Sequence, residues 1–215
     1  MDLNREKKLR KSGFKTIAGI DEAGRGPISG PVTAAATTIV NDDNNELKIT
    51  NSELKEIKDS KKLTEKQREH FYNLLNECSW IEWATSRVGP KIIDKINILE
   101  ATKLAMRRAV DNLNKKLTDQ VEFLMIDGNF KIDSKISQKP IIKGDEKVFL
   151  ISIASIIAKV SRDRAMKRYD KIYPGYGFAQ HKGYPTAFHR KRVKQAGPCK
   201  IHRRTFKPVR YIVGQ

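Results

Sequence analysis

The chain has 215 residues, with 43 Lys and Arg against 25 Asp and Glu, a formal net charge of +18 and a pI near 9.9. That length holds one substantial core and is short for two typical domains, and the charge points to a polyanionic partner. Two cysteines, Cys78 and Cys199, exclude a disulfide framework; no CxxC pair indicates zinc and no apolar run reaches membrane-spanning length, so a cytoplasmic protein is expected.

Residues 1–15 read as a basic lead, with Arg5 to Lys11 followed by no apolar stretch. Thr16–Asp21 and Pro31–Val40 are β-branched and apolar and read as neighbouring strands joined through Gly24-Arg25-Gly26-Pro27, and Asn41–Asn45 makes a polar break. Thr64 with Gln67 forms a capping-box pattern, with Phe71, Leu74, Leu75 and Cys78 following on one helix face. Trp80–Val88 reads as a third strand. Ile98–Leu117 is an amphipathic helix with Met106, Val110, Leu113 and Leu117 in one stripe. Val121–Ile126 is too continuously apolar for a surface strand, which predicts helices over both its faces and Asp127 at the end of a central strand. Lys147 to about Arg168 starts apolar and finishes basic, as a buried helix emerging into solvent does; Tyr173-Pro174-Gly175 breaks it. A short helix begins near Pro185 and Gly197-Pro198 stops it. Alternating strands and helices predict α/β layers with a site at one sheet edge.

Acids stand where that site would be. Asp21 and Glu22 close the run Ile17–Ile20, Asp127-Gly128 closes another, and Asp145-Glu146 precede a long apolar segment. Paired carboxylates at a strand end repel one another and lose hydration, a cost that a divalent cation offsets. The blander reading makes them solvated turn residues. Side chains alternate along a strand, so Asp21 and Glu22 share one site only where the strand ends or bends. All are hard oxygen ligands of the kind Mg²⁺ or Mn²⁺ prefers, and two such ions roughly 4 Å apart serve in-line phosphodiester displacement. His70, His181, His189 and His202 form no metal-binding spacing such as HExxH.

The charge is concentrated too. From Lys159 to Gln215 there are 16 Lys or Arg against Asp163 and Asp170, which places +14 of the +18 in the last quarter of the chain. Tyr173, Tyr176, Phe178, Tyr184 and Phe188 are interleaved with it, a pattern that suits a nucleic-acid backbone better than a solvated tail.

Gly19-Ile20-Asp21-Glu22-Ala23-Gly24-Arg25-Gly26, Asp59-Ser60-Lys61-Lys62-Leu63, Ile126-Asp127-Gly128, Lys143-Gly144-Asp145, Ala154–Lys159 and His181–Thr186 resemble, in that order, the ribonuclease HII family over about Ile17 to Pro208. The glycine loop and short lead favour this type over the sister ribonuclease HIII. The resemblance implies an α/β RNase H-like fold, a five-stranded mixed sheet flanked by helices with a helical C-terminal extension: a catalytic domain over 16–170 and a basic extension, 171–215, completing the substrate groove. It implies an endoribonuclease that cuts the RNA strand of RNA/DNA hybrids and nicks duplex DNA on the 5′ side of embedded ribonucleotides, as in ribonucleotide excision repair, leaving 3′-hydroxyl and 5′-phosphate ends. Asp21, Glu22, Asp127 and Asp145 become the catalytic, metal-binding acids for Mg²⁺ or Mn²⁺, with two ions when substrate is bound and Asp21 as the bridging ligand. An Asp opening a helix is ordinarily an N-cap, so Asp145 keeps two readings. Gly24, Arg25 and Gly26 would meet the 2′-hydroxyl, Tyr184 the adjoining deoxyribose, and Ser60, Lys61 and Lys62 a phosphate. The rival readings are a closing tyrosine ahead of Pro185 and a solvated lysine pair. A monomer is expected, with no membrane partner. At the level of the whole chain the alternatives are a noncatalytic basic nucleic-acid-binding protein and another two-metal nuclease of the same fold.

Overall fold

The computed structural model describes residues 3–40, 54, 57 and 63–214. Five strands, β1 (Ile17–Ala23), β2 (Val32–Ile39), β3 (Ile81–Val88), β4 (Phe123–Asp127) and β5 (Ser137–Ile141), form one sheet in the order β3-β2-β1-β4-β5. β1 and β2 make the expected antiparallel hairpin, β3 continues it antiparallel, and β4 and β5 run parallel to β1. Helices among the described residues include α1 (Asn4–Lys11), α2 (Glu65–Glu77), α3 (Pro90–Asn114), α4 (Phe149–Ile172), α5 (Phe178–His181), α6 (Ala187–Ala196) and α7 (Val209–Val213). None among the described residues is long and apolar enough to cross a membrane. This is the mixed sheet flanked by helices that the resemblance implies.

Alternation along the strands sorts residues between two cores. Ala18, Ile20, Leu124 and Ile126 face α3, packing with Ala105, Met106, Val110 and Leu113. Ile17 and Met125 face α4, packing with Phe149, Ile153 and Ile157. Asp21 shares the parity of Ile17, and Asp127 that of Met125, so both acids point to the α4 side. α4 lies close on β1 because residue 19 is glycine: a Cβ there would stand 2.4 Å from the Leu150 carbonyl carbon. The Thr37 hydroxyl donates to the Leu150 carbonyl at 2.8 Å, fixing the same turn to β2.

Several boundaries differ from the sequence expectation, each for a local reason. The third helix begins at Pro90, and Asn97, at φ 66°, interrupts it. The Asn97 side chain accepts from the Leu99 and Glu100 amides at 2.9 and 3.1 Å, capping the segment that the apolar stripe marks. The supposed lead contains α1, held by buried Leu3 and Glu6. β5 has a half-exposed, polar sequence with Pro140 in it, tolerable because it is the sheet's edge. Asn41–Asn51 lies outside the described residues. The capping box at Thr64 and Gln67 forms as expected, with the Thr64 amide donating to Gln67 Oε1 at 2.9 Å.

Candidate active site

Parallel pairing of β1 with β4 places Ile20 beside Ile126, so Asp21 and Asp127, each one residue further on, come side by side on adjacent strands at the same edge of the sheet. β1 itself does not stop there; it remains paired with β2 as far as Ala23 and Thr33. What ends at Ile20 is its pairing with β4, and the side of β1 thus opened is where Asp21 and Glu22 both reach one cleft. That cleft, of about 360 Å³, is lined by Asp21, Glu22 and Asp127, by Gly24, Arg25 and Gly26, by Ser155, Lys159 and Arg162 of α4, and by Arg68 and Tyr184.

Asp21 is 4 % exposed and accepts from the Glu22 amide at 2.6 Å. Burial, then the neighbouring Glu22 and Asp127 carboxylates, push its carboxyl well above the usual carboxylate range, against the opposing hydrogen bond from Ser155. Asp127 Oδ1 accepts from the Gly144 amide at 2.6 Å. This ties the strand end to the 3₁₀ turn Gly144–Glu146, in which Asp145 is fully buried. Asp145 does not line the cleft, and it does not cap α4, whose N-cap is Val148. The structure therefore brings Asp21, Glu22 and Asp127 together and sets Asp145 in the turn that Asp127 holds. Among the described residues no group of three or more His, Cys, Asp or Glu side chains is set so as to hold a metal ion by itself. An ion here would keep water or phosphate oxygens in its shell, as Mg²⁺ commonly does.

Arg25 stands 3.5 Å from Glu22 and over the Phe130 ring, its guanidinium carbon 5.7 Å from the centroid. Gly24 adopts φ +99°, and a Cβ on it would meet Arg162 Nε at 2.0 Å, so no other residue fits. Gly26 faces across the cleft: a Cβ there would lie 3.7 Å from Tyr184 Cε1. Tyr184 is 46 % exposed, its ring available to a ligand. Ser60, Lys61 and Lys62 lie outside the described residues.

Behind Tyr184 stands a chain of histidines with a single direction. The Cys199 amide donates to His202 Nδ1 at 3.0 Å, which leaves the His202 proton on Nε2. His202 Nε2 then donates to His189 Nε2 at 3.0 Å, and His189 Nδ1 to the Tyr184 carbonyl at 2.8 Å. Both rings are neutral at pH 7, since burial pushes each down to about 4.

Sequence reasoning missed Ser155, Lys159, Arg162 and Arg68 as cleft residues. A signal for the first three was present: they recur at i, i+4 and i+7, a polar stripe that starts within the apolar half of the helix.

Comparison with known proteins identifies the family and the fold. The family model described as Ribonuclease HII matches residues 18–209. A protein named Ribonuclease HII from Geobacter sulfurreducens is 43 % identical over 210 residues, covering 98 % of this chain and 90 % of its own. The crystal structure of ribonuclease H2 from Pyrococcus horikoshii OT3 superposes with a TM-score of 0.69 at 30 % identity, over 92 % of this chain and 97 % of that one. Bst-RNase HIII in complex with Mn²⁺ superposes with a TM-score of 0.74 over 95 % of this chain and 71 % of that one, a likeness of fold at 15 % identity. The acids at one sheet edge, the glycine loop facing a tyrosine and the extent of these matches lead to one conclusion: the chain belongs to the ribonuclease HII family and is a ribonuclease H, an endonuclease of RNA/DNA hybrids.

Proposed function

We propose that this enzyme is metal-dependent, works with two divalent ions, Mg²⁺ or Mn²⁺, and besides cutting the RNA strand of hybrids nicks duplex DNA 5′ of an embedded ribonucleotide, leaving 3′-hydroxyl and 5′-phosphate ends. The observation that carries the reading is the convergence of Asp21, Glu22 and Asp127 at the opened end of β1, where the Asp21 charge is costly by itself. A set of oxygen donors whose mutual repulsion a cation relieves fits Mg²⁺ or Mn²⁺. Asp21, Glu22 and Asp127 would hold the ions, with Asp145 as the fourth acid from the turn that Asp127 ties to the strand end. When bound, they supply water activation and stabilisation of the leaving oxygen.

The remaining residues position the strand. Backbone amides of the Gly24–Gly26 loop meet the ribose 2′-hydroxyl, the group that tells RNA from DNA. Tyr184, opposite Gly26, packs on the adjoining deoxyribose. Ser60, Lys61 and Lys62 contact phosphate, and the basic extension 171–215 completes the groove around a monomeric, cytoplasmic enzyme. Membership of the family removes the noncatalytic alternative. The alternative of a different substrate on the same fold is decided by assay. Duplexes that are all DNA, or carry a single ribonucleotide, are incubated with the wild-type protein, with and without Mg²⁺, Mn²⁺ and chelator. Metal-dependent nicking only at the ribonucleotide is expected; cutting of the all-DNA duplex, or no nicking at all by protein active on hybrids, refutes the proposal.

A further inference from the structure

Two guanidiniums are buried behind the glycine loop, and all their hydrogen bonds among the described residues go to main-chain carbonyls. Arg203 is fully buried; its Nε donates to the Gly30 carbonyl at 3.0 Å, Nη1 to that of Arg25 at 2.8 Å and Nη2 to that of Gly24 at 2.5 Å. Its own amide donates to the Ile28 carbonyl at 2.9 Å, so one residue holds both ends of the loop. Arg162, equally buried, donates to the carbonyls of Pro31 at 3.0 Å, Lys182 at 2.9 Å and Ser29 at 3.2 Å. Lys182 lies two residues before Tyr184, and the Ile28 amide donates to the Gly183 carbonyl at 3.0 Å, so the same cluster joins the glycine loop to the tyrosine turn.

Like charges taken out of water are expensive and are kept where they organise something. Burial lowers Arg203 to about 9 and Arg162 to about 10, values at which both stay charged at pH 7. In a trans peptide the carbonyl of one residue and the amide of the next point in opposite directions. A guanidinium drawing the Gly24 and Arg25 carbonyls inward therefore turns the Arg25 and Gly26 amides outward, on the side of the loop that lines the cleft.

We propose that Arg203, backed by Arg162, is a positioning residue for sugar selection: it aims the Arg25 and Gly26 amides at the ribose and keeps that loop in register with Tyr184. This rests on the sugar-reading role proposed for the loop. Preorganised amides act only when held in the productive direction, and a displacement near 1 Å can cost a rate factor of about 10².

The test compares wild type, Arg203→Lys and Arg203→Met in four measurements: kcat and KM for nicking a duplex with one ribonucleotide, affinity for the all-DNA duplex, melting temperature, and backbone order parameters of the Arg25 and Gly26 amides in the free protein. Both variants are expected to bind all-DNA duplex within about twofold of wild type while kcat/KM falls roughly tenfold or more, mainly in kcat, and the order parameters of the two amides drop. A merely structural role would move melting temperature and all-DNA binding together. Arg203→Lys keeps charge and most of the volume, so the comparison survives if Arg203→Met does not fold. A folded variant with wild-type kcat/KM, or with unchanged order parameters at both amides, overturns the proposal. Wild type that does not nick the ribonucleotide duplex sinks the sugar-reading role instead, and the order parameters still judge whether Arg203 holds the loop.

Discussion

Asp21 shows the tension between fold and chemistry at a single residue. Its carboxyl is raised above the ordinary value of 3.8, first by burial and then by Glu22 and Asp127. A group raised in the fold is most favourable to stability below its unfolded value and loses that contribution as pH climbs through the folded one. In the absence of divalent ions, Asp21→Asn should therefore melt at a higher temperature than wild type at pH 7, with the gain vanishing near pH 3.5, while cleavage is abolished. An equal difference at both pH values would contradict this account. Asp127→Asn is expected to bind duplex nearly as wild type does but to cut at least about 10²-fold more slowly, measured under single turnover, because the proposed mechanism makes the carboxylate held by the Gly144 amide an ion ligand. Normal cutting by that variant would remove Asp127 from the chemistry.

Among the elements, α4 depends on a residue far away in sequence. Val148 at its N-cap offers no side-chain bond, and Glu6 of α1 accepts from the Leu150 amide at 3.1 Å, bringing a buried carboxylate to the positive end of the helix. Glu6→Ala is expected to cost about 1–2 kcal/mol in chemical denaturation, and Glu6→Gln less, since the amide keeps an acceptor. An alanine variant as stable as wild type would show that α1 is ornamental. The sequence hid this contact: Glu6 sits among basic residues with only Leu3 and Leu9 to mark a packed face. Strands β1, β2 and β4 were legible because burial on both faces demands runs of apolar and β-branched residues free of charge until the strand end. β5 was not, because an edge strand with half-exposed side chains needs no such run. The cleft acids Asp21, Glu22 and Asp127 stood out as charges at the ends of apolar segments. Arg162 and Arg203 did not, since among 43 basic residues only tertiary contacts separate a buried guanidinium from a solvated one.

For the molecule as a whole, charge and acidity give two measurable dependences. With net +18, duplex affinity should fall by about 10³-fold or more between about 50 and 200 mM salt, the loss that accompanies roughly six phosphate contacts. A flat dependence would contradict backbone-driven binding. Acid acts through the C-terminal segment, which the Ser29–His202 bridge and the Gly30 amide to the Ile201 carbonyl, at 2.8 Å, join to the body. His189 and His202 are held near 4, below their ordinary 6.5, so their contribution is complete above pH 6.5 and is lost as pH falls toward 4. The wild-type melting temperature should fall more steeply across that window than that of His202→Gln; parallel curves would rule the pair out as the cause. The polar stripe on α4 carries a last consequence. Ser155, beside Asp21, and Arg162, behind the glycine loop, sit on one rigid rod roughly 10 Å apart at about 1.5 Å per residue. Adding or deleting one residue between them would swing one relative to the other by about 100°, parting the acids from the glycine loop in a protein whose sheet had not changed.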